Sequence, residues 1–200
     1  MKKKYFLFFG LAVAMSAITV TSCEEKKNET HEEKPAPPVA EKTENPVERG
    51  KYLVEIMGCN DCHSPKKMGP KGPEIIPELM LSGYPSDRPL VKFDSKLIKE
   101  GFAMLYPDLT AAAGPWGVTF AANLTPDETG IGNWSEEQFK KALVEGKFKG
   151  MDGGRMLLPP MPSANFRNLS DEDCHAIFAY LKSLTPVKNV VPAPVTPDLM

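Results

Sequence analysis

The sequence has no strong excess of charge of either sign and contains few cysteines. Its 200 residues include 24 Lys and Arg against 26 Asp and Glu, a formal net charge of −2. That balance gives no reason to expect binding to nucleic acid. The four cysteines, at positions 23, 59, 62 and 174, do not form the pattern of a disulfide framework. The 20 prolines cluster between elements and near the end, which favours short helices and long loops over a long bundle.

Long apolar runs are also scarce. The one clear run, residues 5–20, is short for a membrane-spanning helix and follows three lysines, so residues 1–22 are predicted to be an export signal. The signal ends in Val-Thr-Ser-Cys23, which resembles a bacterial lipobox and predicts lipidation of Cys23. The alternative is an ordinary signal peptide with an incidental cysteine. Residues 23–44 are charged, contain proline and have almost no large apolar side chains, so they are predicted to be a flexible linker.

The most informative motif is the pentapeptide CNDCH, which contains Cys59, Cys62 and His63. This spacing is typical of covalent c-type haem attachment, in which two thiols form thioethers with the vinyl groups and the histidine ligates the iron. A thioredoxin-like CxxC would follow a strand, and no strand pattern precedes Cys59. A zinc site would need further Cys or His ligands at suitable spacing. A second CxxCH motif is absent from the sequence, which predicts one haem.

A short helix is predicted immediately before this motif. Asn45 can cap it, Pro46 suits its first position, and Gly58 can end it. A short helix leading directly into CxxCH resembles the cytochrome c family. The resemblance implies an all-α domain of short helices and long loops over residues 45–188, wrapped around one covalent haem c. Residues 189–200 are a Pro-rich tail that we expect to pack loosely.

A second helix is predicted near the end of the domain. Ser170 and Asp173 form an acidic capping box, and an apolar stripe follows at helical spacing, made of Cys174, Ile177, Phe178 and Leu181. The family resemblance implies that this helix crosses the first one. Cys174 lies on the stripe, where it is expected to act as a small buried apolar residue.

Two Gly-Pro pairs follow the CxxCH motif, at positions 69–70 and 72–73. In cytochromes c, a backbone carbonyl in such a segment accepts the N–H of the proximal histidine and orients its ring. Spacing makes Pro73 the first candidate and Pro70 the second. The alternative is that both pairs mark turns only. Residues 74–120 then exceed a minimal cytochrome c, and covering a haem edge or selecting a partner are the two roles considered for them.

Residues 123–147 resemble a segment found in cytochrome c subunits of bacterial periplasmic dehydrogenases and in their monohaem relatives. Ser135 and Gln138 form a capping box for the helix within this segment. The resemblance places the segment near the haem propionates, so Asn123 and Trp134 are candidate propionate donors. The alternative for Trp134 is a hydrophobic staple against the helix. Arg155 is a further candidate for a position near a propionate.

The second axial ligand is expected among three methionines, Met151, Met156 and Met161. Prolines at 159, 160 and 162 flank Met161, and a proline-braced loop presents a thioether rigidly. The surrounding segment also matches the distal-methionine segment of the family. Met161 is therefore the predicted ligand, ahead of Met156 and then Met151.

These features together predict a monohaem electron carrier, exported and lipid-anchored on the periplasmic or cell-surface side of a membrane. Its partners would be a dehydrogenase as electron donor and a respiratory acceptor. One alternative is a fixed haem-bearing subunit of a periplasmic dehydrogenase complex. Another is a haem enzyme such as a peroxidase or reductase, which Met161 disfavours because it would block the distal face of the iron.

Overall fold

A computed structural model describes residues 45–199. The predicted signal, the linker and Cys23 lie outside the described residues. The helices are α1 (Pro46–Ile56), α2 (Cys59–His63), α3 (Ser95–Lys99), α4 (Glu136–Val144), α5 (Ser163–Phe166) and α6 (Asp171–Ser183). Five short strands accompany them: β1 (Lys66–Gly69), β2 (Gly72–Ile75), β3 (Met104–Leu105), β4 (Ala111–Gly114) and β5 (Gly117–Phe120). Single 3₁₀ turns occupy Pro77–Leu79, Phe148–Gly150 and Pro197–Leu199.

The predicted helix starts are confirmed at three positions. The Asn45 side chain accepts a hydrogen bond from the Val47 amide at 3.0 Å, with Pro46 as the first helical residue of α1. Ser135 and Ser170 cap α4 and α6 by accepting from the amides three residues later, each at 3.1 Å. Such caps satisfy amides that the first helical turn would otherwise leave unpaired.

Helices α1 and α6 pack closely against one another, as the family resemblance implied. The contact depends on Gly50, because a Cβ atom there would overlap the carbonyl oxygen of Ala176. Arg49 and Asp173 form an ion pair across the same contact, with Nε 3.0 Å from Oδ1. The crossing fixes the direction in which α1 leads into the CxxCH turn.

The main core lies between α1, α4 and α6. Its buried members are apolar side chains from these helices, from α5 and from the loops between them: Leu53, Val54, Leu81, Ile131, Phe139, Leu143, Phe166, Ala176, Ile177, Tyr180 and Leu181. Cys174 is buried on the apolar stripe of α6, as predicted. Within residues 45–199, no helix is long and apolar enough to cross a membrane.

The expectation of an all-α domain holds only in part. Strands β1 and β2 form an antiparallel hairpin, and β3, β4 and β5 form a second antiparallel sheet in the order β3-β4-β5. The second sheet has its own small core of Ile98, Ala113 and Val118. Most of this structure lies in residues 74–120, where the sequence is rich in turn residues and small side chains.

The expectation of a loosely packed tail is wrong for residues 189–195. Asn189 is buried, and its side-chain amide donates to the carbonyls of Ser82 at 2.6 Å and Tyr84 at 2.9 Å. Further on, Val195 pairs with Val118 beside strand β5. The tail is therefore held by polar contacts with the domain, which its proline-rich composition did not predict.

Candidate haem site

The CNDCH motif forms one short helix, α2, directly after Gly58. Gly58 has φ 69°, a left-handed conformation that suits glycine, and it lets the chain turn from α1 into α2. Cys59 and Cys62 are half-buried and free of disulfide bonds. Burial raises the pKa of the Cys59 thiol to about 11 and also raises the pKa of Cys62. Both side chains are thus unpaired thiols on the same short helix.

His63 is oriented by a backbone carbonyl, as expected, but by a different one. Its Nδ1 lies 2.8 Å from the carbonyl oxygen of Ala122, at the end of the segment that follows β5. Pro73, the candidate chosen by spacing, lies instead in β2 and pairs with Met68 of β1. The prediction of Pro73 was wrong because the second Gly-Pro pair forms part of β2, which pairs with β1 in a hairpin and does not reach the His63 ring. Pro70 lies at the turn of the same hairpin.

The hydrogen bond to Ala122 leaves Nε2 as the ring nitrogen available to a metal. Desolvation lowers the pKa of His63, and the bond to Ala122 opposes this only in part. The imidazole is therefore favoured in its neutral form, which is the form that ligates iron.

The residues that hold His63 and Ala122 come largely from segment 81–84. The Gly83 amide donates to the His63 carbonyl at 2.8 Å, and the Tyr84 amide donates to Ala121 at 3.0 Å. Gly83 has φ 79°, and a Cβ atom there would overlap the backbone of Ala121 and Ala122. The Leu81 amide donates to the Ser64 hydroxyl at 2.8 Å. Segment 81–84 thus joins the carboxyl end of α2 to the residues after β5, one of which supplies the histidine's acceptor.

Lys66 contacts the carboxyl end of α2. Its ammonium donates to the carbonyls of Asp61 at 2.6 Å, Ser64 at 3.0 Å and Asp108 at 3.0 Å, with Asn60 at 3.4 Å. A cation at the carboxyl end of a helix meets the negative end of the helix dipole. Lys66 therefore binds the end of the CxxCH helix to the loop before β4.

The three candidate methionines differ in their surroundings. Met161 is partly buried and packs against the main core, as does Cys59. Met151 and Met156 are 58% and 55% exposed. The Met161 amide donates to Leu158 in a turn, at 3.2 Å, and the preceding Pro159 carbonyl accepts a bond from the buried Thr119 hydroxyl of β5 at 2.9 Å. Of the three, Met161 is the one that lies against the same core as the CxxCH helix.

Asn123 does not have a free donor for a propionate. Its side-chain amide donates to the Val187 carbonyl at 2.8 Å, to the Thr129 hydroxyl at 3.2 Å and to the Asn189 carbonyl at 3.4 Å. Its Oδ1 accepts from Thr125. Since the amide has only two N–H groups, the prediction for Asn123 was wrong: this buried side chain holds the tail against the domain.

The other two candidate donors remain predictions. Trp134 is partly buried against the main core, which is also what a hydrophobic staple would do. Arg155 is exposed, donates to the Met156 carbonyl at 2.9 Å, and places its guanidinium 3.6 Å from the centre of the Phe148 ring. Among residues 45–199, one buried side-chain donor has no partner, Nε1 of Trp116 on the β4–β5 hairpin. An ordered water or an external acceptor would satisfy it.

The residues present fit a covalently attached haem. Two unpaired thiols, a histidine with Nδ1 held by a carbonyl, and a thioether against the same core are the kinds of group that a cytochrome haem requires. Sequence reasoning did not find Ala122, Gly83 and Thr119. Ala122 and Gly83 act through backbone atoms, which have no side-chain signature, and Thr119 is far from both ligands in the chain.

Comparison with known proteins decides the family. The family model described as "Cytochrome c" matches residues 47–185, from the first turn of α1 to just beyond α6. The chain belongs to the cytochrome c family. Membership of this family implies covalently bound haem c. The CxxCH turn and the α1–α6 crossing of this cytochrome both lie within the matched residues.

Similar proteins include cytochrome subunits of several dehydrogenases. The cytochrome is 40% identical to the alcohol dehydrogenase (quinone) cytochrome c subunit of Gluconobacter oxydans, over 76% of this chain and 24% of that subunit. It is 30% identical to the fructose dehydrogenase cytochrome subunit of Gluconobacter japonicus, over 75% of this chain and 23% of the subunit. It is 31% identical to the gluconate 2-dehydrogenase cytochrome c subunit of Pantoea cypripedii, over 70% of this chain and 24% of that protein. The cytochrome thus spans about a quarter of the length of these relatives.

Proposed function

We propose that this cytochrome is a monohaem electron carrier, held outside the cytoplasm by a lipid on Cys23. Cys59 and Cys62 form the thioethers, His63 is the proximal ligand and Met161 is the distal ligand. Haem supplies a one-electron couple between ferric and ferrous iron. With both axial positions occupied by protein side chains, no iron position is open to a substrate, which favours electron transfer over catalysis.

The observation that carries this proposal is the arrangement of His63. Its Nδ1 bond to Ala122 sets the ring orientation and leaves Nε2 for the iron. The burial of Met161 against the core that also contacts Cys59 supports a thioether as the second ligand. A thioether ligand raises the reduction potential relative to a second histidine.

The relatives favour a specific class of partner. Several of them are named as cytochrome subunits of fructose, gluconate and alcohol dehydrogenases. We propose that a dehydrogenase outside the cytoplasm donates electrons to this cytochrome, which passes them to a respiratory acceptor. A fixed subunit of a dehydrogenase complex is the second candidate, and the same relatives favour it. Co-purification of a stoichiometric dehydrogenase under mild solubilisation would favour the subunit over the mobile carrier.

Replacing the proposed distal ligand tests the haem assignment. In Met161→Ala, we expect the oxidised protein to lose the thioether-to-iron charge-transfer band, the reduction potential to fall, and the reduced protein to bind carbon monoxide. The reason is that the iron loses its sulfur ligand and gains an open position. Optical spectra and a redox titration of the purified haem protein measure all three, together with the haem count.

Met156→Ala is the matched control, since Met156 is an exposed methionine of the same loop region. It should keep the band and remain inert to carbon monoxide. If Met161→Ala retains the band while Met156→Ala loses it, the two assignments must be exchanged.

A further inference from the structure

Strand β5 and the two residues after it contact both the distal loop and the proximal histidine of the proposed ligand set. Thr119 binds the carbonyl of Pro159, two residues before Met161. Ala122, three residues after Thr119, accepts from Nδ1 of His63. A stretch of four residues is therefore bonded to the distal loop at one end and to the proximal histidine at the other.

This stretch is itself firmly held. Phe120 pairs with Ala111 in the sheet, the Ala121 amide donates to Thr110 at 2.8 Å, and the Ala121 carbonyl accepts from Tyr84 at 3.0 Å. The sheet and segment 81–84 thus both hold the backbone between the two contacts. Any movement of Pro159 relative to Ala122 must break the Thr119 bond or distort the sheet.

The distal loop has few other polar anchors, because proline residues have no amide hydrogen. Among residues 45–199, the Thr119 hydroxyl supplies the one hydrogen bond from another element to the backbone of residues 159–161. A hydroxyl has a single hydrogen to donate. The Pro159 carbonyl is its nearer acceptor, at 2.9 Å, against 3.4 Å for Ala112.

We propose that Thr119 is a positioning residue that holds the Met161 loop closed over the iron. This inference rests on the proposed function, since it requires Met161 as the distal ligand. A competing ligand reaches the iron only when the Met161 loop moves away. If that movement breaks the Thr119–Pro159 bond, the bond adds its free energy to the cost of opening. A neutral hydrogen bond of this kind contributes about 1 kcal/mol, which corresponds to roughly three- to tenfold in binding of the competitor.

The experiment is imidazole binding to the purified ferric haem protein, followed optically through loss of the thioether-to-iron band. Thr119→Val removes the hydroxyl while keeping the β-branched shape, and we expect it to bind imidazole about three- to tenfold more tightly than wild type. Thr119→Ser restores the hydroxyl and should bind as wild type does. If Thr119→Val yields no folded haem protein, Thr119→Ala provides the same loss of the hydroxyl.

Thr110→Val is the matched control. Thr110 is a buried threonine of the same sheet region, but its hydroxyl bonds to Asp108 and Arg88 and not to the distal loop. It should leave imidazole affinity unchanged. Equal tightening in Thr110→Val and Thr119→Val would overturn the inference, because it would reflect general loosening of the domain.

The two proposals fail in different ways. A wild-type protein without the thioether band contradicts Met161 as the ligand, and the role of Thr119 with it. A wild-type protein that shows the band, but whose Thr119→Val variant binds imidazole no more tightly, overturns the role of Thr119 alone.

Discussion

At the scale of single residues, the ammonium of Lys66 has an unusual concentration of contacts. It bonds to carbonyls at the end of α2 and to the carbonyl of Asp108. Its charge therefore lies beside the backbone that supplies His63. A positive charge near the iron favours the reduced state, which carries one more electron. The residue thus has both a structural contact and an electrostatic one with the haem-bearing turn.

We expect Lys66→Met to lower both the unfolding free energy and the reduction potential of the haem protein. The loss of charge-assisted hydrogen bonds should cost about 2 kcal/mol. Urea denaturation and a redox titration measure the two effects. Lys67→Met removes the same charge from the next, exposed position and serves as the control. An equal change in both variants would show that the carbonyl contacts of Lys66 have no specific role.

At the scale of secondary-structure elements, the α1–α6 crossing holds the haem-binding turn to the rest of the domain. Gly50 is the residue whose size sets the distance between the two helices, because the Ala176 carbonyl occupies the space of a side chain there. We expect Gly50→Ala to destabilise the protein by about 1–3 kcal/mol through forced separation of the helices, although alanine favours helix more than glycine does.

Chemical denaturation measures this effect, and Gly154→Ala is its control. Gly154 lies in an exposed loop with room for a Cβ atom. A Gly50→Ala variant as stable as wild type would mean that the crossing adjusts without cost, and that the tight approach is not what holds α1 in place.

A partly buried ion pair links two parts of the region between the haem motif and β4. The Asp108 carboxylate accepts from Arg88 at 2.7 Å and from the hydroxyl and amide of Thr110 at 2.6 and 3.1 Å. Burial raises the pKa of Asp108, but the hydrogen bonds from Arg88 and Thr110 outweigh it, so the pKa is lower than usual. The folded state therefore favours the ionised carboxylate.

This shift predicts a stability that depends on pH. A depressed pKa contributes stability above the unfolded value, about 3.9, which is lost as the pH falls through the folded value. The difference in unfolding free energy between wild type and Asp108→Asn should be constant above about pH 5 and shrink below about pH 4. Urea denaturation across this range measures it, with Asp87→Asn as a control for loss of an exposed negative charge. A difference that stays constant down to about pH 2 would contradict a depressed pKa.

The elements that could be predicted from sequence are those fixed by local signals. Asn45, Ser135 and Ser170 start helices because a cap and the apolar spacing after it lie within a few residues. The acceptor of His63 could not be found this way. Any residue can supply a carbonyl, so its identity depends on which segment the fold brings beside the ring, and here the acceptor, Ala122, lies 59 residues away in the chain.

The same distinction between local signals and tertiary contacts separates the site residues that could be predicted from those that could not. Cys59, Cys62 and His63 were singled out because thioether and iron chemistry require particular side chains at fixed spacing. Asn123 was misjudged because its partners lie at the start of a tail whose composition suggested no packing, with Val187 just before the tail and Asn189 in it. A polar side chain in a segment that resembles a ligand-binding segment can make tertiary contacts instead of binding the ligand.

At the scale of the whole molecule, the contacts of the region between the haem motif and Met161 indicate a structural role for it. Segment 81–84 holds the backbone of His63, and β5 bonds to the Met161 loop. The tail then fixes segment 81–84 through Asn189. Residues that lengthen the chain beyond a minimal cytochrome therefore brace the proposed ligands from the outside. This role was not among the two considered from sequence, a cover for the haem edge or a surface for a partner.

The remaining prediction concerns how the molecule is held at a membrane. If Cys23 is lipidated, several acyl chains on one residue provide the anchor, since a single chain binds only weakly. We expect a Cys23→Ser protein, exported on a cleavable non-lipoprotein signal in place of residues 1–22, to move from the membrane fraction to the soluble fraction. The signal must be exchanged as well, because an uncleaved apolar run at residues 5–20 could itself retain the protein. Haem staining of the two fractions measures the result.

Cys174→Ser with its natural signal should stay with the membrane, because that thiol is buried in α6. Retention of the Cys23→Ser protein as complete as that of wild type would contradict a lipid anchor.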